Sequence, residues 1–287
     1  MSLSRRKFIK ATGIAAAAFG LGGGIFRMPV ASASGSKEAA GSNEAKGVLI
    51  DITKCIGCHM CSVACRKQNG LAGKSQVLDA ETWTRVKTVE VDKDGEKVKR
   101  HIREQCFHCL DPACVSACLV GALEKTPAGP VIYDGSKCMG CRYCMIACPF
   151  NIPKYQWDNP FPLVRKCIFC FERLEEGKAP ACVDACQQGA TLFGPRSELL
   201  AEAERRIASH PGQYVEHIYG MEEVGGTSFL FLSDVPFEVL GFPTDLGTEP
   251  LPNHTWKALS KIPAVVLGGA AFLGAAYHLN KDRGEGK

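Results

Sequence analysis

The chain has 287 residues, with 34 Lys or Arg against 30 Asp or Glu, a formal charge of +4, and 16 cysteines. That length allows one large core or two small ones. The positive balance does not point to nucleic acid: Arg5, Arg6, Lys7, Lys10 and Arg27 lie in the first 33 residues with no acid among them, and losing those five cations takes the charge from +4 to −1.

The N-terminus reads Ser4-Arg5-Arg6-Lys7-Phe8-Ile9-Lys10, then an apolar run from Ala11 to Phe26, then Ala31-Ser-Ala33. A basic head, an apolar middle and an A-x-A site resemble a twin-arginine signal over residues 1–33, with cleavage after Ala33. Residues 34–47 are small and polar and read as a flexible leader. Val48 to Ile52 is a short apolar strand that delivers the chain to Cys55. Cys55, Cys58, Cys61 and Cys65 follow at x2, x2, x3 spacing.

Residues of about 80–104 form an insertion. Trp83 to Val91 alternates as a strand, Asp92-Lys-Asp-Gly95 turns, and Glu96 to Arg103 returns, which predicts a hairpin. Cys106, Cys109, Cys114 and Cys118 come next at x2, x4, x3, followed by the strand Val131-Ile-Tyr133 and a turn at Asp134-Gly135.

The third group is the most compact: Cys138-Met-Gly-Cys141-Arg-Tyr-Cys144-Met-Ile-Ala-Cys148-Pro149. In C-x2-C-x2-C-x3-C-P, three thiolates on one tight loop hold one iron-sulfur cube while the fourth serves a second. A proline-rich crossing, Ile152 to Pro162, leads to Cys167, Cys170, Cys182 and Cys186 at x2, x11, x3, with a short helix expected over Glu172 to Lys178. Ser197 is the expected cap of a helix from Glu198 to Ser209, since Leu199, Ala203 and Ile207 share one face. Thr227 to Leu232 reads as a strand, and the rest to Trp256 as proline-punctuated loop.

Ile262 to Leu279 has no formal charge and is flanked by Lys257, Lys261, Lys281 and Arg283. Eighteen residues give about 27 Å of helix, the short limit for a bilayer span, and the flanking cations can snorkel. Residues 257–280 are therefore the expected transmembrane helix and 281–287 a cytoplasmic tail. Gly268, Gly269, Ala270, Gly274 and Ala275 would let a membrane partner's helix approach closely. A buried or interfacial helix is the alternative.

Each group of four opens on CxxC and closes after an x3 gap, so the chain repeats internally and no cysteine is left over. Four groups of four suit four 4Fe-4S clusters if each lends its last cysteine to a partner group. Zinc sites usually draw two ligands from each of two knuckles. A disulfide framework would suit an exported chain, yet gains little from closing loops this short. A zinc-binding or disulfide-stapled assembly module is nevertheless the rival from another class. No paired acid and base, nucleophile or substrate pocket stands out, so the chain is not expected to be an enzyme by itself. His59 and His108 lie inside cysteine loops, where they could donate to a cluster or be plain loop residues. His278 ends the tail helix. Arg142, Lys154, Arg165 and Lys166 could offset cluster charge or simply be solvated.

The run Tyr133 to Pro153, the start Arg165-Lys-Cys-Ile-Phe-Cys170 and the segment Tyr219-Gly-Met-Glu-Glu-Val-Gly-Gly-Thr227 resemble the four-cluster, ferredoxin-like electron-transfer subunits of respiratory oxidoreductases. With its own signal and tail helix the chain is most similar to the iron-sulfur subunits of the high-molecular-weight cytochrome complex and of periplasm-facing, quinone-linked NiFe hydrogenases. The beta subunit of membrane formate dehydrogenase, or of another molybdenum oxidoreductase, is the alternative.

The resemblance implies an α+β fold of two ferredoxin-like two-cluster units over residues 48–196, with a C-terminal extension over 197–256. It also implies the ligand sets. Cluster 1 would take Cys55, Cys58, Cys61 and Cys186; cluster 2, Cys65, Cys167, Cys170 and Cys182. Cluster 3 would take Cys106, Cys109, Cys114 and Cys148; cluster 4, Cys118, Cys138, Cys141 and Cys144. Some relatives replace one ligand by tryptophan and carry a 3Fe-4S centre; this chain has no such gap. The implied role is a relay of single electrons between a periplasmic hydrogenase or multihaem cytochrome subunit and a polytopic, quinone-reactive membrane subunit. Its implied place is the periplasmic face of the inner membrane, held in lipid by the tail helix. Unlike the family's usual pattern, only Cys148 precedes a proline; Cys65, Cys118 and Cys186 precede Arg66, Leu119 and Gln187.

Overall fold

The computed structural model describes residues 45–73 and 75–284. The signal over 1–33, the leader up to residue 44 and the tail end 285–287 lie outside the described residues. Lys46 and Gly47, expected in the leader, instead open β1 (Lys46–Asp51).

β1 is the centre of a three-stranded sheet in the order β8 (Thr191–Pro195), β1, β9 (Phe229–Leu232). It runs antiparallel to β8, with Leu49 opposite Leu192, and parallel to β9, with Leu49 opposite Leu230. Both faces of the sheet are covered, which is why Val48, Leu49 and Ile50 are continuously apolar. On one face Val48, Ile50, Phe229 and Phe231 join Phe107, Phe169, Tyr219 and Phe237 in an aromatic core. On the other, Leu49, Leu230 and Leu232 meet Leu199 and Ala203.

Leu199 and Ala203 belong to a helix, Arg196–Ser209, that begins directly after Pro195 rather than at Glu198. Proline at the entry fixes the backbone where a side-chain cap from Ser197 was expected. Asp51, at the end of β1, accepts from Arg206 of this helix at 3.0 Å and from the Tyr214 hydroxyl at 2.9 Å.

The insertion is a regular hairpin of β2 (Arg85–Lys93) and β3 (Glu96–Glu104), turning at Asp94-Gly95. Val86, Val91 and Ile102 are buried, so its inner face is packed. Its far end is tied to the loop after β9. Lys93 and Arg100 both donate to the Asp234 carboxylate, at 2.6 Å and at 2.5–2.8 Å. A second hairpin, β4 (Leu123–Lys125) with β5 (Val131–Tyr133), separates the second and third cysteine groups. Between the third and fourth lies the short ladder of β6 (Lys154–Tyr155) and β7 (Val164–Arg165).

Two segments depart from the sequence reading. The strand expected from Thr227 begins at Phe229, because Thr227 instead forms an isolated bridge with Cys109. Residues 233–256 are not a surface loop: Val235, Phe237 and Leu240 are buried in the aromatic core, and Leu251–Leu259 is helical. A second helix, Ile262–Gly284, follows after Ser260-Lys261; its 23 residues, about 35 Å at 1.5 Å per residue, begin and end later than the expected span of 257–280. It is long and apolar enough to cross a bilayer, and none of its apolar stretch is buried against the protein.

Burial by itself would raise the Asp234 carboxyl, but hydrogen bonds from Arg100 and Lys93 outweigh it and hold it at about 2. A depressed carboxyl contributes stability that is complete above its unfolded value near 4 and is lost as pH falls through about 2. Asp234→Asn should therefore destabilise the protein by about 1–3 kcal/mol at pH 7, read by urea unfolding. The difference from the native chain should shrink between pH 4 and pH 2.

Candidate iron-sulfur sites

The cysteine loops repeat in backbone as well as in spacing. In the first and third groups, Gly57 and Gly140 both have φ of +72° between the first two cysteines. His59 and Arg142 follow the second cysteine in the left-handed region, at φ 62° and 65°. Each leads into a short helix: α1 (Met60–Asn69) carries Cys61 and Cys65, and α3 (Tyr143–Ala147) carries Cys144, with Cys148 directly after its end. The second and fourth groups share another pattern. Pro112 and Pro180 start one-turn helices, α2 (Ala113–Ser116) with Cys114 and α5 (Ala181–Asp184) with Cys182. Cys170 precedes α4 (Phe171–Glu175), which fills the eleven-residue gap. Counting onward, Arg196–Ser209 is α6, Leu251–Leu259 α7 and Ile262–Gly284 α8.

Packing pairs these loops across the chain. α1 of the first group lies on α5 of the fourth, and α2 of the second on α3 of the third. Gly57 must also be bare, because a Cβ there would stand 2.5 Å from the His101 ring of β3. The insertion thus presses directly on the first loop.

All sixteen cysteines are free thiols. Cys55 feels the charge of Cys61 and Cys186. Cys65, Cys167, Cys170 and Cys182 line one narrow cavity, closed further by Asn69, Gln105 and Phe169. Cys109 feels Cys106, Cys114 and Cys148, and Cys144 feels Cys118, Cys138 and Cys141. Between quartets there are three further contacts of charge: Cys61 with Cys182, Cys167 with Cys106, and Cys114 with Cys144. Burial varies along the series. Cys58 is exposed and Cys55, Cys61 and Cys186 are half-buried, while Cys65, Cys167, Cys170 and Cys182 are all buried. Cys106, Cys114 and Cys144 are buried as well, and Cys109, Cys148, Cys118, Cys138 and Cys141 are half-buried.

Backbone N–H groups are aimed at sulfur. Phe169 N donates to Cys167 Sγ at 3.3 Å and Ala122 N to Cys118 Sγ at 3.2 Å; the Asn69 side chain reaches Cys65 Sγ at 3.7 Å. Burial is nevertheless the larger influence and pushes Cys65 and Cys114 up to about 12 and Cys144 up to about 11.

Of the cations singled out by sequence, only Lys166 serves the sulfurs. It is buried, donates to the Val131 and Cys167 carbonyls at 2.5 and 2.9 Å, and its charge acts on Cys114 and Cys148. Arg142 stacks over Tyr155 and Trp157, Arg165 over Trp83, and Lys154 reaches only Asn151. His108 is no loop residue but part of the core, stacked on Phe169 and Phe229. Its Nδ1 accepts from Val131 N at 2.9 Å. Burial, then Lys166 and Lys125, hold its pKa well below the usual value, so it is neutral with its proton on Nε2. His59 is exposed at the entry to α1, and His278 is exposed on α8 with its ring 5.7 Å from Tyr277.

Three residues that sequence reasoning passed over also face the quartets. Lys125 donates to the His108, Cys109 and Gly129 carbonyls at 3.2, 2.8 and 2.5 Å. Burial lowers it to about 8 against the opposing pull of Cys109 and Cys106. Arg103 and Gln105, at the base of the insertion, are buried beside the first and fourth groups.

A family model described as a 4Fe-4S dicluster domain matches residues 99–196, which hold the second, third and fourth cysteine groups. Hydrogenase-2 operon protein HybA of Escherichia coli O157:H7 is 37% identical over 317 residues, covering 94% of each chain. The chain belongs to the family of iron-sulfur electron-transfer subunits. The nitrate-inducible formate dehydrogenase iron-sulfur subunit of Escherichia coli K12 is 34% identical, covering 80% of this chain and 83% of its own. A protein of Nitratidesulfovibrio vulgaris is 41% identical over 98% of this chain and 78% of its own length. In this iron-sulfur subunit the elevated thiols must shed their protons before they can hold iron. Reconstituting apoprotein with iron and sulfide in weak buffer should acidify the medium by about one proton per ligating thiol beyond the one that each hydrosulfide loses on entering a cluster, and loading should slow as pH is lowered from 9 to 6. A pH-stat titration checks both.

Proposed function

We propose that the chain is a one-electron wire of four sites, joining a redox subunit outside the cytoplasmic membrane to a quinone-reactive subunit within it. The observation that carries this reading is the series of charge interactions that links the four thiol quartets in order, with the second quartet fully buried and the first opening to solvent at Cys58. We assign the quartets as Cys55, Cys58, Cys61, Cys186; Cys65, Cys167, Cys170, Cys182; Cys106, Cys109, Cys114, Cys148; and Cys118, Cys138, Cys141, Cys144. The pairing of α1 with α5 and α2 with α3 supports the same assignment.

The donor set fits iron-sulfur better than zinc. Among the described residues, no three His, Cys, Asp or Glu side chains converge on a point where one ion could sit. Zinc needs all its sulfurs at about 2.3 Å, whereas a cube keeps four thiolates farther apart. Bound at these quartets, 4Fe-4S clusters supply reversible one-electron transfer without breaking substrate bonds. The chain's own residues hold the thiolates, exclude water and set the local charge.

The two ends of the series differ. Around the first group, exposed Ile56, Met60 and Val63 flank Cys55, Cys58 and Cys61. Around the third, exposed Leu119, Met139, Tyr143 and Ile146 flank Cys118, Cys138, Cys141 and Cys144. Exposed apolar side chains of this kind mark contact surfaces. Helix α7 packs on α2, so the apolar α8 departs from the unit that holds the second and third groups. That end is the membrane end of the wire, and the first and fourth groups face the extracytoplasmic partner.

A hydrogenase is the first choice for that partner, since the match to the hydrogenase-2 operon protein HybA covers 94% of both chains. A multihaem cytochrome serves the same geometry. A formate dehydrogenase or other molybdenum enzyme is the second reading, favoured by the formate dehydrogenase relative. Export by the twin-arginine route, with the clusters inserted before transport, fits the N-terminal sequence.

Purified holoprotein should contain about sixteen irons and as many acid-labile sulfides per chain. About four irons, or zinc in their place, would rule the wire out. A chain ending before Ile262 should keep its iron but move from the membrane fraction to the soluble one when made without its membrane partner.

A further inference from the structure

Arg103 and Gln105 form a polar pair in the dry interior, at 3% and 1% exposure. Arg103 Nε donates to Gln105 Oε1 at 3.1 Å. That bond leaves the rest of both side chains unsatisfied: Nη1 and Nη2 of Arg103 and Nε2 of Gln105 are sealed from solvent without an acceptor. A guanidinium never gives up its charge, and a buried charged donor left without a partner is among the costliest features a fold can carry. Phe229, with its ring 5.7 Å beneath the Arg103 Cζ, offers only a weak face for that charge.

The surroundings supply the missing acceptors. The positive charge of Arg103 acts on Cys55, Cys61, Cys65 and Cys182, which come from both members of the first cluster pair. Gln105 lines the cavity enclosed by Cys65, Cys167, Cys170 and Cys182. Its Oε1 is already occupied by Arg103, so its amide is oriented with the N–H2 group free. No carboxylate pairs with Arg103, although Glu104 is its neighbour in sequence, because Glu104 is engaged by Arg85. The arrangement makes sense as one built for an anionic, sulfur-rich occupant on both sides.

We propose that Arg103 and Gln105 are positioning residues for the first two iron-sulfur sites, with their orphan N–H groups donating to sulfur there and raising the reduction potentials of both. This rests on the four-site reading given above. A reduced cluster is more negative than an oxidised one, so a fixed cation and fixed donors stabilise it selectively. Arg103 stands where the first site adjoins the second, so it eases electron entry into both and leaves the third and fourth sites alone. The insertion then has a redox role: β3 carries this charge into the core.

The test uses full-length holoprotein and EPR-monitored redox titration of the native chain, Arg103→Gln and Arg103→Lys. In Arg103→Gln two of four midpoints should move to lower potential, by on the order of a tenfold change in the reduced-to-oxidised ratio, about 59 mV for one electron. The other two should stay in place, and Arg103→Lys should recover part of the shift. Should a variant lose iron, the native protein decides: with 15N-labelled arginine, hyperfine spectroscopy should detect a guanidinium nitrogen coupled to a reduced cluster. Unmoved midpoints in an iron-replete Arg103→Gln, or absence of that coupling in the native protein, would overturn the proposal. Fewer than four clusters in the native protein would overturn the four-site reading instead.

Discussion

The structure is governed by the cost of gathering sulfur-borne negative charge in a dry interior. Like charges held close in a low dielectric repel strongly, and burial, with neighbouring thiols adding to it, drives Cys65 and Cys114 to about 12. Several features of the fold answer that cost. Backbone and side-chain N–H groups point at Cys118, Cys167 and Cys65. Lys125 brings positive charge to Cys106 and Cys109, Lys166 to Cys114 and Cys148, and Arg103 to Cys55, Cys61, Cys65 and Cys182. Such cations would be a liability in an ordinary core; here their counter-charge is the bound group itself, which ties folding to cluster assembly.

Around that arrangement the chain sets short strand pairings and then reinforces them. The first and fourth cysteine groups are closed by β1 against β8, and the second and third by β4 against β5. Short loops and one-turn helices cannot bury much apolar surface alone. The additions supply it. Phe229 and Phe231 of β9, with Tyr219, Phe237 and Leu240 beyond the cluster region, pack on Phe107 and Phe169, each lying between two cysteines of a CxxC loop. The aromatic core therefore holds the loops in place from behind, and Asp234 fastens the insertion to the same core through Lys93 and Arg100.

Those features that depend on local chemistry were legible in the sequence. Cysteine spacing is one, because ligand geometry is imposed within a loop of a few residues. The β2–β3 hairpin is another, since alternation and an Asp-Gly turn suffice. What depended on distant packing was not legible. Val235, Phe237 and Leu240 are spaced irregularly among prolines and show their burial only once the core is assembled. The strand Glu96–Glu104, rich in Lys, Arg and Glu, reads as a solvated edge, and nothing local distinguishes buried Arg103 from exposed Lys97. His108 could be read either way until Phe169 and Phe229 were seen to enclose it. The entry to α6 was misjudged because Pro195 ends β8 and starts the helix in one step.

The central claim is that four thiol quartets stand in series, from one that includes the exposed Cys58 to one that includes the half-buried Cys138. Anomalous scattering at the iron edge from crystals of the holoprotein tests it directly. Four compact iron peaks should appear in the order of the quartets, one beside each, with neighbouring peaks close enough for electron exchange. Fewer peaks, isolated single ions, or sulfurs bonded to one another would contradict the account.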